Sequence, residues 1–101
     1  MQINIVEENG NVVILLQGRF DFSTHRDFRA SIETALQKRL ARKILVDLGS
    51  VDYLDSSALG MLLILRDKAQ AASKTVELIH CHDSVAQILE IANFKDLFPI
   101  N

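Results

Sequence analysis

The segment from Lys43 to Ala71 constrains the fold of this chain more strongly than any other part. It begins with a nearly continuous apolar run of strand length, Lys43–Leu48, which is typical of a central strand covered by helices. A polar loop follows, and residues 57–71 then predict a helix whose first half, Ala58–Leu65, is apolar on almost every side. A covered strand that leads into a buried helix is typical of an α/β fold.

The residues before this segment predict a hairpin and a helix. Residues 2–7 and 12–17 are two apolar runs rich in β-branched side chains, and the Asn-Gly pair between them is a strong signal for a tight turn. Ser23 or Thr24 is expected to cap the next helix. The buried face of that helix is predicted from apolar residues at a spacing of four: Phe28, Ile32, Leu36 and Leu40.

The residues after the segment predict one more strand and one more helix. Thr75–Ile79 alternates between polar and apolar side chains, as a strand does. Asp83 or Ser84 is expected to cap a third helix, and Asn93 is expected to stop it. The buried face of this helix is predicted to consist of Val85, Ile88, Leu89 and Ala92.

The predicted element order is therefore ββαβαβα. A hairpin followed by alternating strands and helices predicts a small mixed β-sheet. Right-handed crossovers place the helices on one face of that sheet. A chain of 101 residues is expected to form one domain over residues 1–101, with enough core to fold without disulfides or metals. A monomer is the default expectation.

Charge and cysteine content exclude several function classes. The net charge is −2, and no basic stripe alternates with aromatic residues, so a nucleic-acid surface is not expected. The longest apolar run, Met61–Leu65, is far shorter than the roughly 20 residues of a membrane-spanning helix, and the first residues do not form a signal peptide. The single cysteine, Cys81, excludes a disulfide framework and favours the reducing cytoplasm.

Two adjacent hydroxyl groups, Ser56 and Ser57, stand where the second helix is expected to begin. The free N–H groups and the dipole at a helix N-terminus favour an anion, so a phosphate on one of these serines is compatible with the fold. With Asp52 and Asp55 nearby, that phosphate would create a dense negative patch that repels a docked partner. The alternative is a serine that only caps the helix.

Asp21 is a second candidate, in the segment Gly18-Arg19-Phe20-Asp21 after the second predicted strand. An aspartate at this position either begins a turn or caps the next helix. Alternatively, it belongs to an acidic binding rim together with Asp47, Asp52 and Asp55.

The residues give little support for metal binding, hydrolysis or ATP binding. His80-Cys81-His82 places two histidines on one face of an extended segment, but nothing completes a set of three or four metal ligands, so a strand end with a buried Cys81 is expected. The two serines lack the G-x-S-x-G pattern of a hydrolase, and no phosphate-binding loop for ATP is present. The sequence therefore predicts neither an enzyme nor a protein that binds a metal or cofactor.

Three segments together resemble a known family: the strand Ile44–Leu48, the motif Asp55-Ser56-Ser57-Ala58-Leu59-Gly60, and the earlier Gly18-Arg19-Phe20-Asp21. They look like the STAS domain of anti-sigma factor antagonists, and the resemblance spans essentially the whole chain. It implies a non-enzymatic domain that binds a serine kinase of the histidine-kinase-like ATPase superfamily. That kinase also serves as an anti-sigma factor or a related switch protein.

The resemblance also assigns roles to individual residues. It implies that the kinase phosphorylates Ser56, the serine directly after the aspartate of the motif, and that a PP2C-type phosphatase removes the phosphate. Ser57 is implied to be the neighbour of the acceptor. Asp21 and Asp55 match positions at the kinase-binding surface.

The end of the motif matches the start of the switch helix of the family, at Leu59 and Gly60. Ala58 stands where many members have glycine. Alanine favours a helix over glycine by about 1 kcal/mol, so it is expected to stiffen the helix start. It is also expected to add a methyl group to the docking surface.

Three function hypotheses can be distinguished. The first is a partner-switching regulator gated by Ser56, and the complete Asp-Ser-Ser sequence favours it. The second is a constitutive STAS subunit of a phospholipid-transporting ABC system, which would bind its ATPase without a required phosphate. A stand-alone hydrolase is the third and least supported reading.

Overall fold

The computed structural model describes all residues, 1–101, and shows the element order ββαβαβα that the sequence predicts. The strands are β1 (Gln2–Glu8), β2 (Asn11–Phe20), β3 (Lys43–Leu54) and β4 (Thr75–Ile79). The helices are α1 (His25–Leu36), α2 (Ser56–Ala71) and α3 (Asp83–Ile91). Two short 3-10 turns, Phe22–Thr24 and Phe94–Asp96, precede α1 and follow α3.

The strands form one mixed sheet in the order β1-β2-β3-β4. β1 and β2 are antiparallel, and their two-residue turn has φ angles of 54° at Asn9 and 79° at Gly10, as the tightest hairpin turns require. β2, β3 and β4 are parallel, and each parallel pair is joined through a helix. Two successive right-handed crossovers in the same direction place α1 and α2 on one face of the sheet.

The core lies between that face and the helices. Alternate residues of the central strands are fully buried there, including Ile14, Ile44 and Val46. α2 contributes Leu62 and Leu65 to the same cluster, so most of its apolar first half is buried as predicted, but Ile64 is 41% exposed. None of the three helices combines the length and the apolar composition that crossing a lipid bilayer demands.

β3 is longer than the sequence predicts. It runs past Leu48 to Leu54, because β2 also continues to Phe20 and the two strands stay paired as far as Phe20 and Leu54. The register shifts twice along this extension, once next to Gly18, whose φ of 103° is readily adopted only by glycine. Most of the predicted polar loop is therefore strand, and only Asp55 separates β3 from α2.

The predicted face of the first helix is correct except at its end. Phe28 and Ile32 are buried, but α1 ends at Leu36, and Leu40 lies beyond it with 95% of its surface exposed. The chain turns between Lys38 and Ala41 to enter β3, and the N–H of Ala41 donates to the Lys38 carbonyl (3.1 Å). Ala41 is buried there in place of Leu40.

This turn is held by Lys74, a buried lysine that the sequence analysis did not single out. Only 6% of its surface is exposed. Its ammonium group donates to the carbonyl oxygen of Lys38 (2.8 Å) and to that of Ala41. Lys74 precedes β4 directly, so these bonds tie the end of α1 to the start of β4.

The third helix has the predicted face and stop but a different start. Val85 and Leu89 are fully buried, and Asn93 adopts the left-handed conformation (φ 58°) that ends a helix. Neither Asp83 nor Ser84 caps it, because His82 occupies the N-cap position and the carboxylate of Asp83 contacts the ring of His82.

Candidate functional site

The ends of β2 and β3 bring two acidic residues together. Phe20 and Leu54 are paired, and Asp21 and Asp55 follow them directly. The N–H of Asp55 donates to the Phe20 carbonyl (3.3 Å), which fixes the two chain segments side by side. We call Asp21, Asp55, Ser56 and Ser57 the strand-end site.

The carboxylate of Asp55 makes two structural hydrogen bonds. Oδ1 accepts from the N–H of Ala58 (2.9 Å), so Asp55 is the N-cap of α2. Oδ2 accepts from the N–H of Phe22 (3.2 Å), in the 3-10 turn before α1. One side chain therefore holds the start of α2 against the segment that leads into α1.

Because Asp55 caps the helix, the alternative in which a serine caps it is wrong. Ser56 is the first helical residue and is exposed. Neither its hydroxyl group nor its N–H forms a hydrogen bond within the chain, and the N–H of Ser57 is also free. The start of α2 thus presents an exposed hydroxyl beside two unpaired amide donors.

Asp21 is also held by local hydrogen bonds. It accepts from the N–H of Ser23 (3.0 Å) and from the Ser23 hydroxyl, and it pairs with Arg19 (3.5 Å). These bonds, chiefly the one from the Ser23 hydroxyl, lower the pKa of Asp21, so the carboxylate stays charged. The prediction that Ser23 or Thr24 caps α1 is wrong, because the chain enters α1 through a 3-10 turn capped by Asp21, and Thr24 makes no side-chain capping bond.

The wider acidic rim is only partly formed. Asp52 is exposed in β3 without an ion pair and lies three residues before Asp55. Asp47 is eight residues before Asp55 in the same extended strand, and its carboxylate pairs with His80 (3.0 Å), so it does not belong to the rim.

The motif residues of α2 point in different directions. Ser57 and Gly60 line a cleft of about 280 Å³ between α1 and α2, which we call the α1–α2 cleft. Leu59 is half-buried and packs against the core. Ala58 is fully buried, so the expectation that its methyl group adds to the docking surface is wrong.

The α1–α2 cleft also has two exposed apolar residues that sequence reasoning missed. Phe22 is 64% exposed and Ile64 is 41% exposed. Ile64 belongs to a stretch that reads as buried on all sides, and Phe22 lies in a short turn with no periodic pattern. Only the packing of α1 against α2 brings the two residues together.

The two histidines around Cys81 do not share a face. β4 ends at Ile79, and His80 has a left-handed φ of 58°, so the expected extended segment is interrupted. His80 contacts Asp47, whereas His82 contacts Asp83 (3.1 Å). No group of three or more potential ligands is arranged around a common point.

Cys81 is half-buried beside these histidines. Burial, together with the negative charge of Asp47, raises the pKa of its thiol to about 11. The thiolate, which is the reactive form, is therefore scarce at neutral pH.

His82 should make the stability of the protein depend on pH. The hydrogen bond from its ring to the Asp83 carboxylate is the main cause of a raised pKa, and the carbonyl groups of Leu48 and Val51 also favour the charged ring. A raised folded-state pKa stabilises the fold below the ordinary value of 6.5, and this contribution is lost as the pH rises through the folded-state pKa.

Urea unfolding of the wild type and His82→Gln over a pH series from below 6.5 upward measures this effect. The difference in unfolding free energy between the two proteins should shrink as the pH rises. A difference that stays constant across the series would contradict the prediction.

A family model and individual relatives both match this chain over most of its length. The family model for the STAS domain matches residues 2–101. A STAS-domain containing protein of Pseudomonas aeruginosa (strain UCBPP-PA14) is 47% identical over 93 residues, which cover 89% of this chain and 87% of that protein. The anti-sigma F factor antagonist of Paenibacillus polymyxa is 23% identical over 100 residues, which cover 99% of this chain and 86% of that protein.

Solved structures show the same fold. The anti-sigma factor antagonist SpoIIAA in its unphosphorylated form matches with a TM-score of 0.75 and 20% identity, over 99% of this chain and 87% of that one. The Bacillus cell fate determinant SpoIIAA in its phosphorylated form matches with a TM-score of 0.73 and 19% identity, over 99% and 91%. These likenesses confirm the small mixed sheet and its element order.

Proposed function

Because the chain belongs to the STAS domain family, we propose that it is a partner-switching regulator of the anti-sigma factor antagonist type. In its unphosphorylated form it binds a serine kinase of the histidine-kinase-like ATPase superfamily, which is also an anti-sigma factor or a related switch protein. Phosphorylation of Ser56 by that kinase ends the binding, and a PP2C-type phosphatase restores it. The kinase supplies the ATP, so the chain needs no cofactor of its own.

The observation that carries this proposal is the setting of Ser56. Its hydroxyl group is exposed at the first position of α2 and has no structural duty, because Asp55 caps the helix. Ser57 is less accessible, since it is half-buried at the α1–α2 cleft. A kinase can therefore reach Ser56 without opening the fold.

The same geometry supports a switch that acts through charge. A phosphate adds about −1.5 to −2 charges at neutral pH. On Ser56 it would stand beside the carboxylates of Asp21 and Asp55, while the free amides at the start of α2 and the helix dipole favour it. The expected result is a surface whose charge changes strongly while the fold stays intact.

Mass spectrometry of the protein isolated from its native cell tests the site directly. We expect a phosphatase-sensitive mass increase of about 80 Da that maps to Ser56. The absence of this modification under several growth conditions would contradict the switch. It would instead support a constitutive STAS subunit of a phospholipid-transport system, and the search would turn to a bound ATPase.

Variants of Ser56 test the mechanism. Ser56→Ala should fold, bind the kinase and resist inactivation, whereas Ser56→Asp should weaken binding about tenfold, equivalent to about 1.4 kcal/mol. Ser84→Asp is the matched control, since Ser84 is an exposed serine in the first turn of α3. Isothermal titration calorimetry with the purified kinase gives the affinities. Equal affinities for Ser56→Asp and Ser84→Asp would contradict an electrostatic switch.

A further inference from the structure

The α1–α2 cleft combines exposed apolar surface with open space. Phe22 is 64% exposed and Ile64 is 41% exposed, and both line the cleft. Gly60 lies in the same wall, and a Cβ atom placed on it would meet no atom within 4 Å. An apolar cleft with this shape can accept a side chain from outside.

The rim of the cleft is already ordered. The ring of Phe22 stacks on that of His25, with centroids 4.7 Å apart and planes 19° apart. The N–H of Phe22 donates to Asp55, and Nδ1 of His25 lies 2.9 Å from the Phe22 carbonyl oxygen. An incoming group would therefore meet a preformed surface, which lowers the entropic cost of binding.

The charge at the cleft is positive and unpaired. Arg29 lines the cleft, is exposed, and forms no ion pair or hydrogen bond within the chain. Arg26, Arg39, Arg42 and Lys95 form no ion pair either, but of the unpaired basic residues only Arg29 lines the cleft. The chemical complement of this cleft is an apolar side chain next to a carboxylate.

We propose that the α1–α2 cleft is a docking site for a partner protein, which inserts an apolar side chain between Phe22 and Ile64 and pairs an adjacent carboxylate with Arg29. The inference rests on the proposed function for the identity of the partner, the kinase that phosphorylates Ser56. The strand-end site is acidic and the cleft is basic. The partner must therefore place positive charge against the strand-end site and negative charge against the cleft. This arrangement of charges would set the orientation of docking.

Two small probes of the same shape test the cleft on unmodified protein. 4-Phenylbutyrate carries an apolar group and a carboxylate, and 4-phenylbutylamine replaces the carboxylate with a cation. In amide NMR spectra, the carboxylate should shift the signals of Ser57, Gly60 and Ile64 in a saturable way at millimolar concentration. The amine should bind at least several-fold more weakly.

Charge reversal at Arg29 provides the decisive comparison. Arg29→Glu should reverse the preference between the two probes, whereas Arg26→Glu should not, because Arg26 is exposed on α1 but does not line the cleft. Both positions are exposed, so both variants should keep the fold, with changes in the spectrum confined to signals near the substitution. Equal binding of both probes, no shifts at the cleft, or a preference that survives Arg29→Glu would each overturn the proposal.

Partner affinity separates a docking site from a pocket for small molecules. Arg29→Glu should weaken binding of the kinase about tenfold, and Arg26→Glu should change it less than about twofold. Probe binding with an unchanged kinase affinity would overturn the proposal. The probes do not require Ser56 to be modified, so failure of the phosphorylation switch and failure of the docking site give different results.

Discussion

Replacing Asp55 with alanine should lower the free energy of unfolding by about 2–3 kcal/mol, because the change removes a helix cap and a hydrogen bond to a second segment at once. The cap is the bond from the Ala58 N–H, and the second bond comes from the Phe22 N–H. Both donors would lose a charged acceptor, and the negative charge beside the N-terminus of α2 would also be lost. Chemical denaturation monitored by circular dichroism measures the change.

Two further variants make the result specific to these bonds. Asp55→Asn keeps an oxygen that can accept the capping bond, so it should recover more than half of the loss. Asp52→Ala removes an exposed acid from the same surface that makes no hydrogen bond, and it should change stability by less than about 0.5 kcal/mol. If Asp52→Ala and Asp55→Ala were equally destabilising, the loss would come from surface charge and not from the two hydrogen bonds.

Replacing Lys74 with alanine should cost about 2–4 kcal/mol, since hydrogen bonds from a charged donor contribute more than neutral ones. The ammonium group of Lys74 donates to the carbonyl oxygens of Lys38 and Ala41 and is almost completely shielded from solvent. Without it, the Ala41 carbonyl loses its partner inside the protein, and the turn between α1 and β3 loses its link to β4. Thermal and urea unfolding should both detect the loss.

A lysine in a different setting serves as the control for this change. Lys68 is half-exposed on α2 and pairs with Glu33 at 3.4 Å, so Lys68→Ala should cost less than about 1 kcal/mol. Lys74→Met keeps the length of the aliphatic stem but donates no hydrogen bond, and it should lose most of what Lys74→Ala loses. Wild-type stability for Lys74→Met would show that the stem, and not the ammonium group, holds the turn.

The elements whose identity depends on local pattern could be predicted from the sequence. The Asn-Gly turn at Asn9, the covered strand from Lys43 and the helix stop at Asn93 all lie where they were expected. In each case the signal is a property of neighbouring residues: a positive φ angle, a continuous apolar run, or a residue that tolerates the left-handed conformation.

The features that depend on distant residues could not be predicted. β3 extends to Leu54 because β2 offers backbone partners there, although Ser50 and Asp52 read as a loop. Nothing in the residues next to Lys74 marks it as buried, because it is the turn after α1 that covers it. Leu40 fits the helical spacing, but the chain must already turn toward β3.

The candidate site divides in the same way. The sequence suggests an acidic rim that includes Asp21 and Asp55, but their direct neighbourhood depends on the extension of β3 to Leu54, which the sequence does not predict. The sequence could not show which residue caps α2, because aspartate and serine are both good N-caps and Asp55 and Ser56 are adjacent. With the helix starting at Ser56, Ala58 faces the core, whereas Ser57 and Gly60 face the cleft.

Asp55 both caps α2 and bonds to the segment before α1, and these two roles limit how the sequence of this protein can diverge. When a gene duplicates and its two products must stop binding each other's partners, residues that also hold the fold together are costly to change. Asp55 fixes the start of α2, whereas Phe22 and Arg29 contribute exposed side chains that the core does not need. Changes that separate two such copies in one cell should therefore collect at the side chains around the cleft, while Asp55 stays fixed.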